Sequence, residues 1–79
     1  MRRAVFRYLV WVSEPDREPD AAPLTHRMAC DVCGATSPTG VDFGAVQDWQ
    51  LRHAGANPSH HTYTETLTRP WRAWPRGPA

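Results

Sequence analysis

Cys30 and Cys33 are the chain's two cysteines, separated by two residues and followed at once by Gly34, and three histidines, His53, His60 and His61, lie downstream of them in only 79 residues. That arrangement constrains the fold more than any other feature. A chain so short buries little apolar surface, and such chains commonly rely on a disulfide, a metal or a partner for stability. The C-x2-C spacing lets two thiolates reach one tetrahedral ion, and Gly34 supplies the left-handed backbone that the tight turn needs. Histidines complete the set. His53 falls on the inward stripe of a predicted helix, and His60 or His61 follows on the next loop. The pattern is C-x2-C-x19-H-x6-H, or x7 to the second candidate. Both gaps are longer than in a standard finger, the second as expected if the last histidine sits on a following loop or strand instead of the same helix.

Other readings of these residues exist. The cysteines would suit a redox dithiol, but that motif belongs to a longer βαβ context. They would also suit inert buried thiols, and His53 a core histidine. Four ligand-type residues in a chain that needs a staple favour zinc. The expected ligands are Cys30, Cys33, His53 and His60. His60 is preferred to His61 because a strand starting near His61 leaves His60 on the incoming loop. His26 lies awkwardly close to the knuckle and is expected at the surface. Two cysteines and two histidines close a tetrahedron, so the expected ion is structural, one Zn2+ per chain.

Around this centre, "AVFRYLVWV" (4–12) is rich in β-branched and aromatic residues and predicts one strand. "SEPDREPDAAP" (13–23) predicts a mobile acidic loop. "LTHRMA" (24–29) predicts a second strand, running into Cys30. "DFGAVQDWQLRHAG" predicts a helix capped by Asp42 and ended by Gly55, with Phe43, Val46, Trp49 and His53 on one stripe. "HTYTETLT" (61–68) alternates and predicts a third strand. "RPWRAWPRGPA" (69–79) carries too many prolines for regular structure and is expected as an extended tail. The expected fold is therefore α+β: a zinc-stapled β-β-α-β domain over 1–68, with one three-stranded antiparallel sheet and one helix, followed by the tail.

The text "CDVCGATSP", "AVQDWQLRHAGANPSHHTY" and "RPWRA" resembles a family of small, uncharacterised actinobacterial proteins with a single zinc finger. In that family a C-x2-C-G knuckle precedes a Trp-x3-His helix end and a His-x2-Tyr segment. Trp49 with His53, and His60 with Tyr63, fit this pattern. The resemblance implies a metal site that uses His60, and it implies nothing about a partner.

Partner chemistry rests on the termini. All nine basic side chains are arginine, against eight acids. The segment before Ser13 and the tail after Thr68 carry arginines and no acid. Arg69, Trp71, Arg72 and Trp74 are the candidate partner-binding residues, because tryptophan and arginine dominate protein interfaces. The first expectation is a non-enzymatic module whose partner is another protein. The alternative is single-stranded nucleic acid or RNA, with phosphates on the arginines and bases on the indoles. The near-neutral net charge and a helix face of Gln47, Asp48 and Arg52 weigh against it. No carboxylate pair or nucleophile motif suggests an enzyme. The N-terminal apolar run is broken by Arg7 and lacks a cleavage site, so a cytoplasmic protein with reduced thiols is expected.

Overall fold

A computed structural model describes residues 2–78. Its elements, in order, are β1 (Arg2–Phe6), β2 (Leu9–Pro15), β3 (Thr25–Cys30), α1 (Phe43–Ala56), β4 (Tyr63–Thr68) and β5 (Trp71–Pro78). The expected single three-stranded sheet is corrected. The described residues are mostly β, with five strands in two antiparallel sheets, β1-β2-β5 and β3-β4, and one helix. They divide into two compact units: the residues through Pro23 together with those from Arg69 onward, and Leu24–Thr68. No helix among them is long and apolar enough to cross a membrane.

Two segments differ from expectation. The run 4–12 is a hairpin rather than one strand. Its reversal sits at Arg7 and Tyr8, both with positive φ (52° and 65°), as a two-residue turn of right-twisted strands requires. Neither residue is a usual turn former, so composition gave no warning. Pairing runs from Phe6↔Leu9 to Arg2↔Ser13. The second segment is the tail, which forms β5 and pairs with β2 from Pro15↔Trp71 to Leu9↔Pro78, with an irregularity between Val10 and Trp11. Its prolines are tolerated because β5 is an outer strand, where a missing N–H can face away from the sheet. Pro15 likewise closes β2 instead of excluding it, so the loop begins only at Asp16 and Glu14 lies on the strand. The Asp16 N–H donates to the Pro70 carbonyl (2.9 Å), and Arg72 reaches Glu18 (3.1 Å) and Asp16 (3.7 Å). Among the described residues of this unit, Val12 is the buried side chain.

In the unit Leu24–Thr68, β3 and β4 pair from Thr25↔Thr68 to Cys30↔Tyr63. The chain after the cysteines then returns along the other side of β3, through bridges Ala29↔Thr36 and His26↔Gly40. Ser37, 4 % exposed, locks this return: its N–H donates to the Met28 carbonyl (2.8 Å), and its Oγ accepts from the Met28 N–H (2.9 Å). The helix starts as expected, with the Asp42 carboxylate accepting from the Gly44 N–H (2.9 Å). It passes Gly55, which does not adopt positive φ, and ends at Asn57. Met28, Cys30 and Val46 are the buried apolar side chains here. Three such side chains make a small core, so whatever joins the knuckle to the helix end carries weight in this unit.

Candidate metal centre

Each donor is placed by a local device. Cys30 is the last residue of β3 and 1 % exposed. The turn after it is closed by the Gly34 N–H donating to the Cys30 carbonyl and the Cys30 N–H donating to Ala35 (both 2.8 Å). Gly34 has φ +79°, the left-handed conformation expected of it. That turn brings Cys33, exposed, back beside Cys30. Asp31 anchors the knuckle to the opposite strand: its N–H donates to Thr62 (2.9 Å), and its carboxylate accepts from Thr64 Oγ1 (2.8 Å).

The histidines come from the helix end. His53 lies in the last turn of α1, four residues after Trp49, and the two rings stack at 5.0 Å with an interplanar angle of 13°. Tyr63 stands edge-on to both, 6.1 Å from His53 and 6.4 Å from Trp49. The Asn57 backbone N–H and Nδ2 both donate to the His53 carbonyl (2.9 and 3.0 Å), satisfying an otherwise orphaned helix-end acceptor. The His60 N–H then donates to the Asn57 carbonyl (2.8 Å), which turns His60 back toward His53.

The four side chains converge. His53 Nε2 lies 3.3 Å from His60 Nδ1, Cys33 Sγ lies 3.4 Å from His53 Nε2, and Cys30 Sγ lies 3.5 Å from His60 Nδ1. All four donor atoms fall within 4.8 Å of one another. A tetrahedral ion with metal–sulfur bonds of about 2.3 Å and metal–nitrogen bonds of about 2.0–2.1 Å has an N–N edge of about 3.3–3.4 Å and S–N edges of about 3.5–3.6 Å. The three distances match those edges. The set Cys30, Cys33, His53 and His60 is therefore close enough to bind one metal ion. His61 is exposed and outside the cluster.

Electrostatics around the sulfurs agree with an anion-holding knuckle. Burial pushes the Cys30 thiol up, but the backbone N–H groups of Cys33 and Val32 and the Cys33 side chain outweigh it, so the net shift is downward from 9.0. The Tyr63 phenol is pushed up from 10.0, first by burial and then by the charges of Cys30 and Cys33. The Tyr63 hydroxyl is buried with no hydrogen-bond partner of good geometry among the described residues.

Other sequence candidates lie elsewhere. His26 is half-buried, not superficial: its ring meets Phe43 edge-on at 5.3 Å, and its Nδ1 lies 3.6 Å from Glu65. Among the partner candidates, Trp71 is 55 % exposed, with the Arg69 guanidinium 5.7 Å from its ring centre. Trp74 is half-buried under Arg72 at 5.9 Å. Three residues apart on an extended strand, the two indoles fall on opposite faces. Sequence reasoning missed the work of Asn57 at the helix end and the packing of the Tyr63 ring against His53. The Trp-x3-His spacing did signal the stack, because residues four apart on a helix are neighbours.

A family model described as a domain of unknown function, DUF7848, matches residues 1–78. No curated protein and no solved structure matches the chain. The family match speaks to neither the actinobacterial grouping nor the metal.

Proposed function

The chain belongs to the DUF7848 family, and from the site it carries we propose that it is a small, non-enzymatic protein-interaction and regulatory module held together by one structural Zn2+. The observation that supports this most is the match between three donor–donor distances and the edges of a tetrahedral two-sulfur, two-nitrogen zinc site. Soft thiolates with imidazoles select zinc over magnesium or calcium. Four protein donors leave no coordination position for water or substrate, so the ion's role is to stabilise the fold rather than to react. Thiolates kept reduced for the metal suit the cytoplasm. Arg69, Trp71, Arg72 and Trp74 supply the interface chemistry, now on and beside an outer strand rather than on a loose tail.

The test is metal analysis of the purified chain, followed by cobalt substitution. Near one zinc per chain, and a cobalt spectrum with tetrahedral d–d and thiolate charge-transfer bands weakened in Cys33→Ser and His53→Ala, support the reading. A zinc-free chain that stays cooperatively folded in chelator overturns it.

A further inference from the structure

The sheet β1-β2-β5 has two outer strands of opposite character. β5 carries Pro75 and Pro78 and follows Pro70. Prolines remove backbone donors and guard an edge against a further strand. β1, of sequence RRAVF, has no proline, and all five of its residues are exposed. In an antiparallel outer strand every second residue turns its N–H and C=O away from the sheet. β1 therefore presents a ready template for one more strand.

Charge says which strand. The chain's net charge of +1 conceals a segregation. The unit made of residues through Pro23 and from Arg69 onward holds seven of the nine arginines and four of the eight acids. Two of those acids, Asp16 and Glu18, are engaged by Arg72. On β1 itself, Arg2 and Arg3 enter no ion pair among the described residues, and no acid shares the strand. They point to opposite faces, so acidic side chains on either face of an incoming strand would meet an arginine. Ala4, Val5 and Phe6 supply apolar contact next to them, with Val5 and Phe6 65 % and 62 % exposed. A second copy of β1 brings the same arginines and no acid, so it offers no charge partner.

We propose that the β1 edge is the docking site of an extended, acidic segment of a partner protein, which adds to the sheet as a strand beyond β1. This rests on the protein-partner reading above and is independent of the metal. Main-chain hydrogen bonds would supply affinity, and Arg2 and Arg3 the choice of an acidic sequence.

The experiment uses the full zinc-loaded chain and three labelled probes: a peptide alternating glutamate and valine, its lysine counterpart, and an oligothymidylate. Fluorescence anisotropy measures binding, and amide exchange locates it. The acidic peptide is expected to bind saturably and to slow exchange in β1 but not β5. Its affinity is expected to fall about tenfold or more in Arg2→Glu/Arg3→Glu and on raising salt, and to stay within about twofold in Arg76→Glu on the guarded edge. Ala4→Pro and Val5→Pro provide the second check. Neighbouring N–H groups point to opposite sides, so one of these variants keeps its pairing with β2 and loses only an outward donor. That variant is expected to fold and bind weakly. Absence of saturable binding, equal binding of the lysine peptide, tighter binding of the oligothymidylate, protection of β5, or concentration-dependent self-protection of β1 would each overturn the proposal. If all peptides fail but a co-purifying protein is lost on Trp71→Ala, the edge proposal falls while the interaction-module reading stands.

Discussion

If the proposed zinc is the ion held here, free zinc concentration should set the stability of the unit Leu24–Thr68, with a slope fixed by the number of ions bound. The donors come from the end of β3, the knuckle, the last turn of α1 and the loop before β4, and they meet only when the unit is folded. One ion per site then stabilises by RT ln(1 + [Zn]/Kd), which is about 1.4 kcal/mol for each tenfold rise in free zinc above Kd. At about 2.1 cal/mol/K of unfolding entropy per residue, 1 kcal/mol moves the Tm of this 45-residue unit by about 11 °C, so each tenfold step is worth about 15 °C. The assay is thermal unfolding in zinc buffers spanning three decades, with amide exchange of β3, α1 and β4 as the local readout. In Cys33→Ser, the rising part of the curve should start at higher free zinc and keep the same slope. A Tm that stays flat across those buffers would refute the reasoning, because a four-donor site assembled by folding cannot be indifferent to its ion. A slope near twice the expected value would refute the single-ion stoichiometry.

Further outcomes follow from the same geometry. In the metal-free chain an alkylating reagent should modify exposed Cys33 well before buried Cys30, and zinc should protect both; mass mapping over time reads this order. Ser37→Ala removes the buried acceptor of the Met28 N–H and should cost about 1–3 kcal/mol, read from denaturant midpoints at unchanged m-value. The Tyr63 phenol, raised from 10.0 by burial and then by the cysteine charges, should ionise above the value of an exposed tyrosine in an ultraviolet titration. Because its folded pKa is raised, its contribution to stability is fully present below pH 10.0 and is lost as pH rises through the folded value.

The helix and the donor residues of the cluster were legible because each rests on local chemistry, whereas their meeting across 20 to 30 residues followed only from the need of so short a chain for a staple. Asp42 before an amphipathic run reads as a helix start, and Trp49 and His53 share a face by spacing alone. The C-x2-C-Gly turn is likewise a short-range device. The strand pairings of the other unit were not legible, for two physical reasons. Arg7 and Tyr8 adopt left-handed conformations that neither residue favours, so the strands on either side impose the turn and no turn former announces it. The prolines of the C-terminal segment argue against a strand only in a sheet interior, and whether a strand lies outside is settled by pairing across more than fifty residues of chain. The Gly55 stop failed because the capping was done two residues later, by an asparagine side chain.

The Arg7–Tyr8 reversal leaves no slack between β1 and β2. Inserting a single residue there, even one better suited to a tight bend, would slide the first strand by one position and exchange its faces. Phe6, Ala4 and Arg2 would trade sides with Val5 and Arg3, and the β1 neighbours of Val12 and Trp11 would change identity while their β5 neighbours stayed. The loop's length is thus a stricter requirement than its chemistry. Substitutions at these two positions should be accepted far more readily than any insertion or deletion.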